Sequence, residues 1–329
     1  MKIFDVQNLK VMFFVNGKFL KAVEGIDLEI NSGEIVGLVG ESGCGKSITC
    51  QSMMKLLPPG AFMKADKLEY NNGKKTINIL DIKESDMLKI RGEEIALIAQ
   101  DPNTSLNPVL TIGEQIDEMF IYHLKMKKKE AKARTIELLE KVGIPDAEKR
   151  YKAFPHELSG GQKQRIIIAI AFSLNPNLIL ADEPTTALDV TVQKQILDLL
   201  LDLTKKENKA LLLITHDLGL VRKYCDKLYV MYSGKIVEYG DAKAVLNDPK
   251  HPYTKALLEA VPSIEVADNT MQPIMGNVLS PFNKPKGCYF ASRCKYCSEK
   301  CLNSRPKKSS RDTGFVKCHL YDGEKDESM

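Results

Sequence analysis

The sequence contains no run of ~18 consecutive apolar residues, the length a membrane-spanning helix requires, so no span is expected. Its first residues, MKIFDVQNLKVMFF, are interrupted by Asp5 and Lys10 and lack the apolar centre of a signal peptide, which predicts a chain that stays in the cytosol. An excess of one charge is also missing: 47 Lys and Arg face 43 Asp and Glu, leaving a net +4. Nucleic-acid binding normally shows as a strongly basic stripe, and none is present, so no nucleic-acid partner is expected. The basic run KMKKKEAK (Lys125–Lys132) reads as a solvated helix face. Internal repeats and low-complexity tracts are absent. Cysteine is scarce over most of the chain: Cys44, Cys50 and Cys225 stand alone, while Cys288, Cys294, Cys297, Cys301 and Cys318 crowd the tail. Thiols stay reduced in the cytosol, so such crowding points to metal or redox chemistry rather than to structural disulfides.

What is present is enough apolar residue, 43%, to bury an ordinary core, spread over 329 residues. That length favours two domains, or one domain with an appendage. Four short, continuously apolar runs are bounded by turn residues: EIVGLVG (Glu34–Gly40), EIALIAQ (Glu94–Gln100), NLILAD (Asn177–Asp182) and ALLLITHD (Ala210–Asp217). Such runs fit strands covered on both faces, and helical patterns such as DVTVQKQILDLLLDLTKKE separate them, which predicts a parallel α/β sheet. Residues 1–30 alternate more and lack long helices, so they read as an antiparallel strand layer. Residues 108–158 are mostly helical and read as an insertion in the sheet. Beyond Pro262 a segment rich in Pro, Gly and Asn reads as a linker to the cysteine tail.

GESGCGKS (Gly40–Ser47) matches G-x-x-x-x-G-K-[ST], follows an apolar strand and opens the helical KSITCQSMMKLL. Its glycines let backbone N–H groups converge on phosphate oxygens, and the helix start adds partial positive charge. Lys46 would reach the terminal phosphates and the Ser47 hydroxyl would ligate Mg²⁺. The bland alternative is a glycine-rich turn with a chance lysine. Asp182 and Glu183 end the apolar strand of NLILADEP; the first would hold Mg²⁺ through water and the second would activate a water beside the terminal phosphate. The alternative is two acids capping the next helix. Gln100 and His216 each end a core strand at the carboxyl edge where α/β sites assemble, suited to contact Mg²⁺, water or the γ-phosphate. In LSGGQKQRIIIAIAFSL, Ser159 and Gln162 form an S-x-x-Q capping box, while Gly160 and Gly161 leave backbone N–H groups open to an anion. This helix brings no phosphate lysine of its own, so a dimer in which it completes the other subunit's site is expected.

Together these residues resemble the ATPase subunits of ABC transporters. Gly40–Ser47, Gln100, Leu158–Gln162, Leu178–Glu183, Ala187–Asp189 and His216 stand in the order of that family's Walker A, Q-loop, signature, Walker B, D-loop and H-loop, over about residues 1–260. QDPNTSLNP, TTALDVTVQKQILDLL and HPYTKALLEAVP look like the oligopeptide/dipeptide/nickel importer branch. MMKLLPPG looks like the D-type ATPase of such importers, which pairs with an F-type ATPase.

The resemblance implies a P-loop, RecA-like ATPase domain over 1–262, with a helical subdomain at about 102–158 and a cysteine-rich extension over 263–329. It implies catalysis by Glu183, His216 and Gln100, and ATP contacts from Phe13, Gly40, Glu41, Ser42, Gly43, Cys44, Gly45, Lys46, Ser47 and Thr49. Phe14 and Phe19 compete with Phe13 for stacking on adenine. Mg²⁺ would be held through Ser47, Gln100 and Asp182. Ser159, Gly160, Gly161, Gln162 and Asp189 would meet the ATP of the partner subunit. Two permease subunits and, indirectly, an extracytoplasmic substrate-binding protein complete the implied assembly, at the cytoplasmic face of the membrane.

Peptide-system D-type subunits often carry a GC, RC, C, C motif, and some hold an iron–sulfur cluster on it. Here the motif falls on Cys288, Cys294, Cys301 and Cys318, with five, six and sixteen residues between them. Four thiolates suit [4Fe–4S]. They also suit zinc, and Cys294 and Cys297 with Cys301 and Cys318 or His319 form that alternative. Free thiols held by packing are the third option. Oligopeptide or dipeptide import is the expected function and nickel or metal-chelate import its runner-up. A non-transport ABC ATPase acting on DNA or the ribosome is disfavoured by the single cassette without a long coiled-coil insertion. A metal-binding regulator is disfavoured by the full catalytic set.

Overall fold

The computed structural model describes residues 1–186, 188–260, 274–276 and 279–322. They form two compact units. The expected boundary at 262 and most of the expected linker lie outside the described residues.

The first unit gathers Met1–Ile3, Asn31–Glu34 and Asn71–Ile214. At its centre the strands Ile95–Ile98, Leu178–Asp182 and Ala210–Ile214 run parallel, with Ile95 opposite Leu178, and Leu178 opposite Ala210. Every residue of the second and third strands is buried, as their unbroken apolar runs predict. The register brings Asp182 opposite Ile214, so the acidic end of one strand lies level with the last residue of its neighbour. The helix Val190–Lys206 buries one face of Ile196, Leu197, Leu200, Leu201 and Leu203, each fully buried leucine contributing about 1.5–3 kcal/mol. Asp189 caps its start by accepting from the N–H of Val192 at 3.0 Å, and Lys205 and Lys206 lie in its last turn, the favourable end for cations.

The expected helical insertion is present as Ile112–Leu124, Lys128–Lys141 and Ala147–Tyr151. Thr111 and Glu114 form the capping box of the first helix. Asp117, buried, joins all three: it accepts from the Thr135 hydroxyl at 2.5 Å and from the Tyr151 hydroxyl at 2.6 Å. In the second helix Ala131, Thr135, Leu138 and Leu139 face inward, leaving its lysines to solvent.

The second unit gathers Phe4–Ile30, Ile35–Tyr70 and Thr215–Met329. The strands Lys2–Val15 and Lys18–Asn31 are joined by a tight turn at Asn16–Gly17, and the short strands Ala61–Lys64 and Lys67–Asn71 pair antiparallel with the first of them. This is the antiparallel layer expected at the front of the chain. The strand Ile35–Val39 pairs parallel with Lys227–Tyr232, which pairs antiparallel with Lys235–Asp241. The sheet then continues into the tail: Gly314–Val316 lies against Lys235–Asp241, and Ser309–Arg311 follows outside it. Phe315 and Val316 are buried there, so the tail is packed into the body of this unit.

Candidate functional site

The phosphate loop leaves the buried strand Ile35–Val39 and enters the helix Lys46–Met53. Its backbone needs glycine at two places. A Cβ on Gly40 (φ +153°) would stand 2.1 Å from the Met231 carbonyl oxygen, and one on Gly45 (φ +109°) would stand 2.6 Å from that of Ala22. Gly45 is the helix N-cap and offers no side chain to the first N–H groups. Lys46 is buried and folds back over the loop, donating to the carbonyls of Gly40 at 2.8 Å and Glu41 at 3.1 Å. The Thr49 hydroxyl donates to the Gly45 carbonyl at 2.9 Å, tying the first turn to the loop. Burial pushes the Cys44 thiol up, against the opposing pull of Lys46. Ser47 opens the helix beside Lys46.

Like Cys44, whose carbonyl accepts from the Gly234 N–H at 2.8 Å, Glu41 links the loop to the rest of the unit. Its N–H donates to the Tyr253 hydroxyl at 2.8 Å, and its carboxylate accepts from both terminal nitrogens of Arg293 at 2.7 and 2.9 Å. The sequence reading singles out neither partner as a site residue. The HPYT motif around Tyr253 and the RC pair at Arg293–Cys294 are the sequence signals that mark them.

In the same unit Phe13 is half-buried opposite Ala61, whereas Phe14 and Phe19 are exposed with ring centroids 5.2 Å apart. The ring of Phe62 stands 6.0 Å from that of Phe19. His216 follows the buried Thr215 and is exposed, and Asp217 caps the helix Leu218–Tyr224 through the N–H groups of Gly219 and Leu220.

In the first unit the structure brings Gln100 and Glu183 together. The Gln100 amide donates to Glu183 Oε2 at 3.2 Å, and the Thr186 hydroxyl donates to the same oxygen at 3.0 Å. Glu183 has φ +46°, a left-handed conformation uncommon for a non-glycine residue, and its N–H is tied to the Ile214 carbonyl at 3.1 Å. Asp182 is buried at the strand end. The signature helix Gly160–Phe172 starts with the predicted reciprocal cap: Ser159 Oγ accepts from the Gln162 N–H, and Gln162 Oε1 accepts from the Ser159 N–H at 3.1 Å. Gly160 is exposed and Gly161 half-exposed. Lys163 donates to Asn103 Oδ1 at 2.8 Å, joining this helix to the segment that follows Gln100. Asp189, the D-loop aspartate, is exposed and serves as a helix cap; the preceding Ala187 lies outside the described residues.

The tail corrects the expected metal chemistry. Gly287 lets the chain pass close to itself, because a Cβ there would stand 2.2 Å from the Cys301 carbonyl oxygen, and Cys288 N–H donates to that same oxygen at 2.8 Å. Among the described residues, however, no group of three or more His, Cys, Asp or Glu is placed to hold a metal ion. The expected iron–sulfur cluster on Cys288, Cys294, Cys301 and Cys318 is therefore not supported, nor is the zinc alternative. Burial pushes the Cys288 thiol up to about 11 and raises those of Cys294 and Cys318. Cys301 Sγ lies 3.4 Å from Ser298 Oγ, and the exposed Cys297 turns its sulfur toward the Ser298 carbonyl. Both ring nitrogens of His319 are engaged, Nδ1 with Asp322 at 2.6 Å and Nε2 with the Ser304 carbonyl at 2.9 Å. The described tail cysteines are free thiols.

Comparison with known proteins agrees with the site. A family model described as ABC transporter matches residues 23–186, and one described as oligopeptide/dipeptide transporter, C-terminal region, matches residues 237–301. The chain is 48% identical over 324 residues to the oligopeptide transport ATP-binding protein AppD of Bacillus subtilis, covering 97% of both chains. It is 44% identical over 321 residues to the dipeptide transport ATP-binding protein DppD of Escherichia coli, again covering 97% of both. Among solved structures, a dimeric post-hydrolysis state of an ATP-binding cassette bound to ADP and Pi superposes with a TM-score of 0.63 at 28% identity, covering 73% of this chain and 99% of that one. The chain is thus an ATP-hydrolysing subunit of the ABC-transporter family, in the group of the AppD, DppD and OppD peptide-importer ATPases.

Proposed function

We propose that this chain is the D-type ATPase of an importer for oligopeptides or dipeptides. The observation that carries the reading is the similarity to AppD over 97% of both chains, which continues through the region matched by the oligopeptide/dipeptide transporter C-terminal model. The ATPase domain spans residues 1–262 with a helical subdomain at 102–158, and the extension is 263–329. The chain works with an F-type ATPase and two permease subunits, and an extracytoplasmic binding protein delivers cargo to them. It docks on the cytoplasmic face of the membrane; among the described residues no helix is long and apolar enough to cross one.

ATP is held by the phosphate loop Gly40–Ser47, with the backbone N–H groups on the phosphates, Lys46 as their cation and Phe13 against adenine. Ser47, Asp182 and Gln100 offer hydroxyl, carboxylate and amide oxygens, a hard donor set that suits Mg²⁺, which would neutralise phosphate charge when bound. Glu183 accepts a proton from the attacking water as its oxygen bonds to the γ-phosphorus. The bond from that phosphorus to the bridging oxygen breaks, giving ADP and phosphate. Gln100 and Thr186 fix the Glu183 carboxylate, and His216 meets the γ-phosphate. Ser159, Gly160, Gly161, Gln162 and Asp189 close over the ATP of the partner subunit, so hydrolysis reopens the dimer and resets the permeases.

The test is purification of the tagged chain from detergent-solubilised membranes, followed by reconstitution in vesicles. Co-purification of a second ATPase and two permeases, with ATP-dependent uptake of labelled peptide, is expected. Nickel uptake in place of peptide, or isolation without permeases, would overturn the cargo or the transport reading respectively.

A further inference from the structure

The phosphate loop is anchored from outside by the tail. Gly40, Gly43 and Gly45 all have positive φ, and glycine-rich backbone loses the most freedom when it is ordered. An anion site needs these N–H groups converged beforehand, since ordering them on binding weakens affinity. The Gly234 N–H donates to the Cys44 carbonyl at 2.8 Å, and Glu41 holds the loop at three further points. Its carbonyl takes Lys46, its N–H goes to the Tyr253 hydroxyl at 2.8 Å, and its carboxylate is forked by Arg293 at 2.7 and 2.9 Å.

Arg293 is itself immobilised. Its side chain is 3% exposed. Nε donates to the Met275 carbonyl at 3.0 Å, and Nη2 to that of Ile274 at 3.2 Å. The guanidinium also lies 5.9 and 6.0 Å from the ring centroids of Tyr232 and Phe290. Its planar fork matches a carboxylate in a way that a lysine ammonium does not. Arg293 directly precedes Cys294, so a movement of the cysteine-rich turn reaches the phosphate loop through one side chain.

We propose that Arg293 is a positioning residue for ATP: through Glu41 it fixes the backbone of the phosphate loop, which makes the cysteine-rich tail a determinant of ATP affinity. The proposal rests on the reading of Gly40–Ser47 as the ATP site. A bridge that merely fastened the tail to the body would change stability and leave ATP affinity alone.

The experiment is ATP titration of hydrolysis in the reconstituted transporter, with binding of a fluorescent ATP analogue and thermal unfolding measured in parallel. Arg293→Ala is expected to raise KM for ATP about tenfold, within the range for groups sharing one network, and to leave kcat within about twofold. Arg293→Lys should fall between. Removal of a single partner strands a buried charge, so folding is protected by the double variant Glu41→Gln with Arg293→Met. That folded double variant should still show the raised KM, and no worse than Arg293→Ala, because both act through one contact. A lowered Tm with wild-type KM, or a folded double variant with wild-type KM, would overturn the proposal. Lys46→Ala separates the two readings: if it abolishes analogue binding while the Arg293 variants bind normally, only the positioning role fails. If Lys46→Ala itself binds normally, the phosphate-loop reading and the inference fall together.

Discussion

Gln100 and Glu183 are 83 residues apart in the chain, yet the Gln100 amide donates to the Glu183 carboxylate at 3.2 Å. Parallel pairing makes this possible, because the strands Ile95–Ile98 and Leu178–Asp182 run side by side and end at the same edge. The glutamine therefore orients the carboxylate proposed as the base. Gln100→Ala should lower kcat about tenfold to a hundredfold, the cost of a misplaced group, while ATP binding stays within about threefold. Steady-state hydrolysis and analogue binding on the same preparation check this; a proportional loss of both would make Gln100 a binding residue instead.

Burial of His251 gives a prediction about pH. Its Nδ1 accepts from the Tyr253 N–H at 3.0 Å, capping the helix Pro252–Glu259, and burial pulls its pKa from 6.5 to about 3. The folded chain keeps this imidazole neutral, whereas the unfolded chain protonates it below about pH 6.5. The unfolded state thus binds more protons between those values. This contribution to stability is complete above about pH 6.5 and is lost as pH falls toward 3, by at most about 1.4 kcal/mol per pH unit. Glu238, which accepts from the N–H groups of Lys250 and His251, is pushed up by burial and works in the opposite direction. His251→Asn keeps a capping side chain and removes only the histidine's share. Between pH 6.5 and 4.5, wild type should lose Tm faster than the variant; parallel curves would contradict the assignment.

Asp117 should be the keystone of the helical segment. It is 7% exposed and accepts from Thr135 and Tyr151. Asp117→Ala leaves two hydroxyls without their acceptor, at a cost of about 2–4 kcal/mol. Loss of hydrogen-exchange protection over residues 112–151, with little change in the strand Leu178–Asp182, is the expected outcome. Replacing the three polar groups together by Asp117→Leu, Thr135→Val and Tyr151→Phe should cost less than the single change.

Much of the fold was legible because the signals are local. Unbroken apolar runs gave the buried parallel strands, the glycine spacing gave the phosphate loop, and Ser159 with Gln162 gave a cap that forms as expected. The Arg293–Glu41 fork was not legible, since 252 residues separate its partners and nothing local marks the pairing. The tail strands Ser309–Arg311 and Gly314–Val316 are three residues each, too short to show a period, and exist by pairing with Lys235–Asp241. The cysteines misled for a related reason. Spacing reports that thiols are close in sequence, but not whether the fold sets three donors around one point, which it does not among the described residues, or that both nitrogens of His319 are already bonded.

The central claim is that ATP hydrolysis runs through Glu183. Phosphate release and ATP retention should be measured together on Glu183→Gln in the reconstituted transporter. The amide keeps the shape and cannot take the water's proton, so hydrolysis should fall on the order of a hundredfold or more while ATP stays bound in a closed dimer. Phosphate release at the wild-type rate would contradict the account.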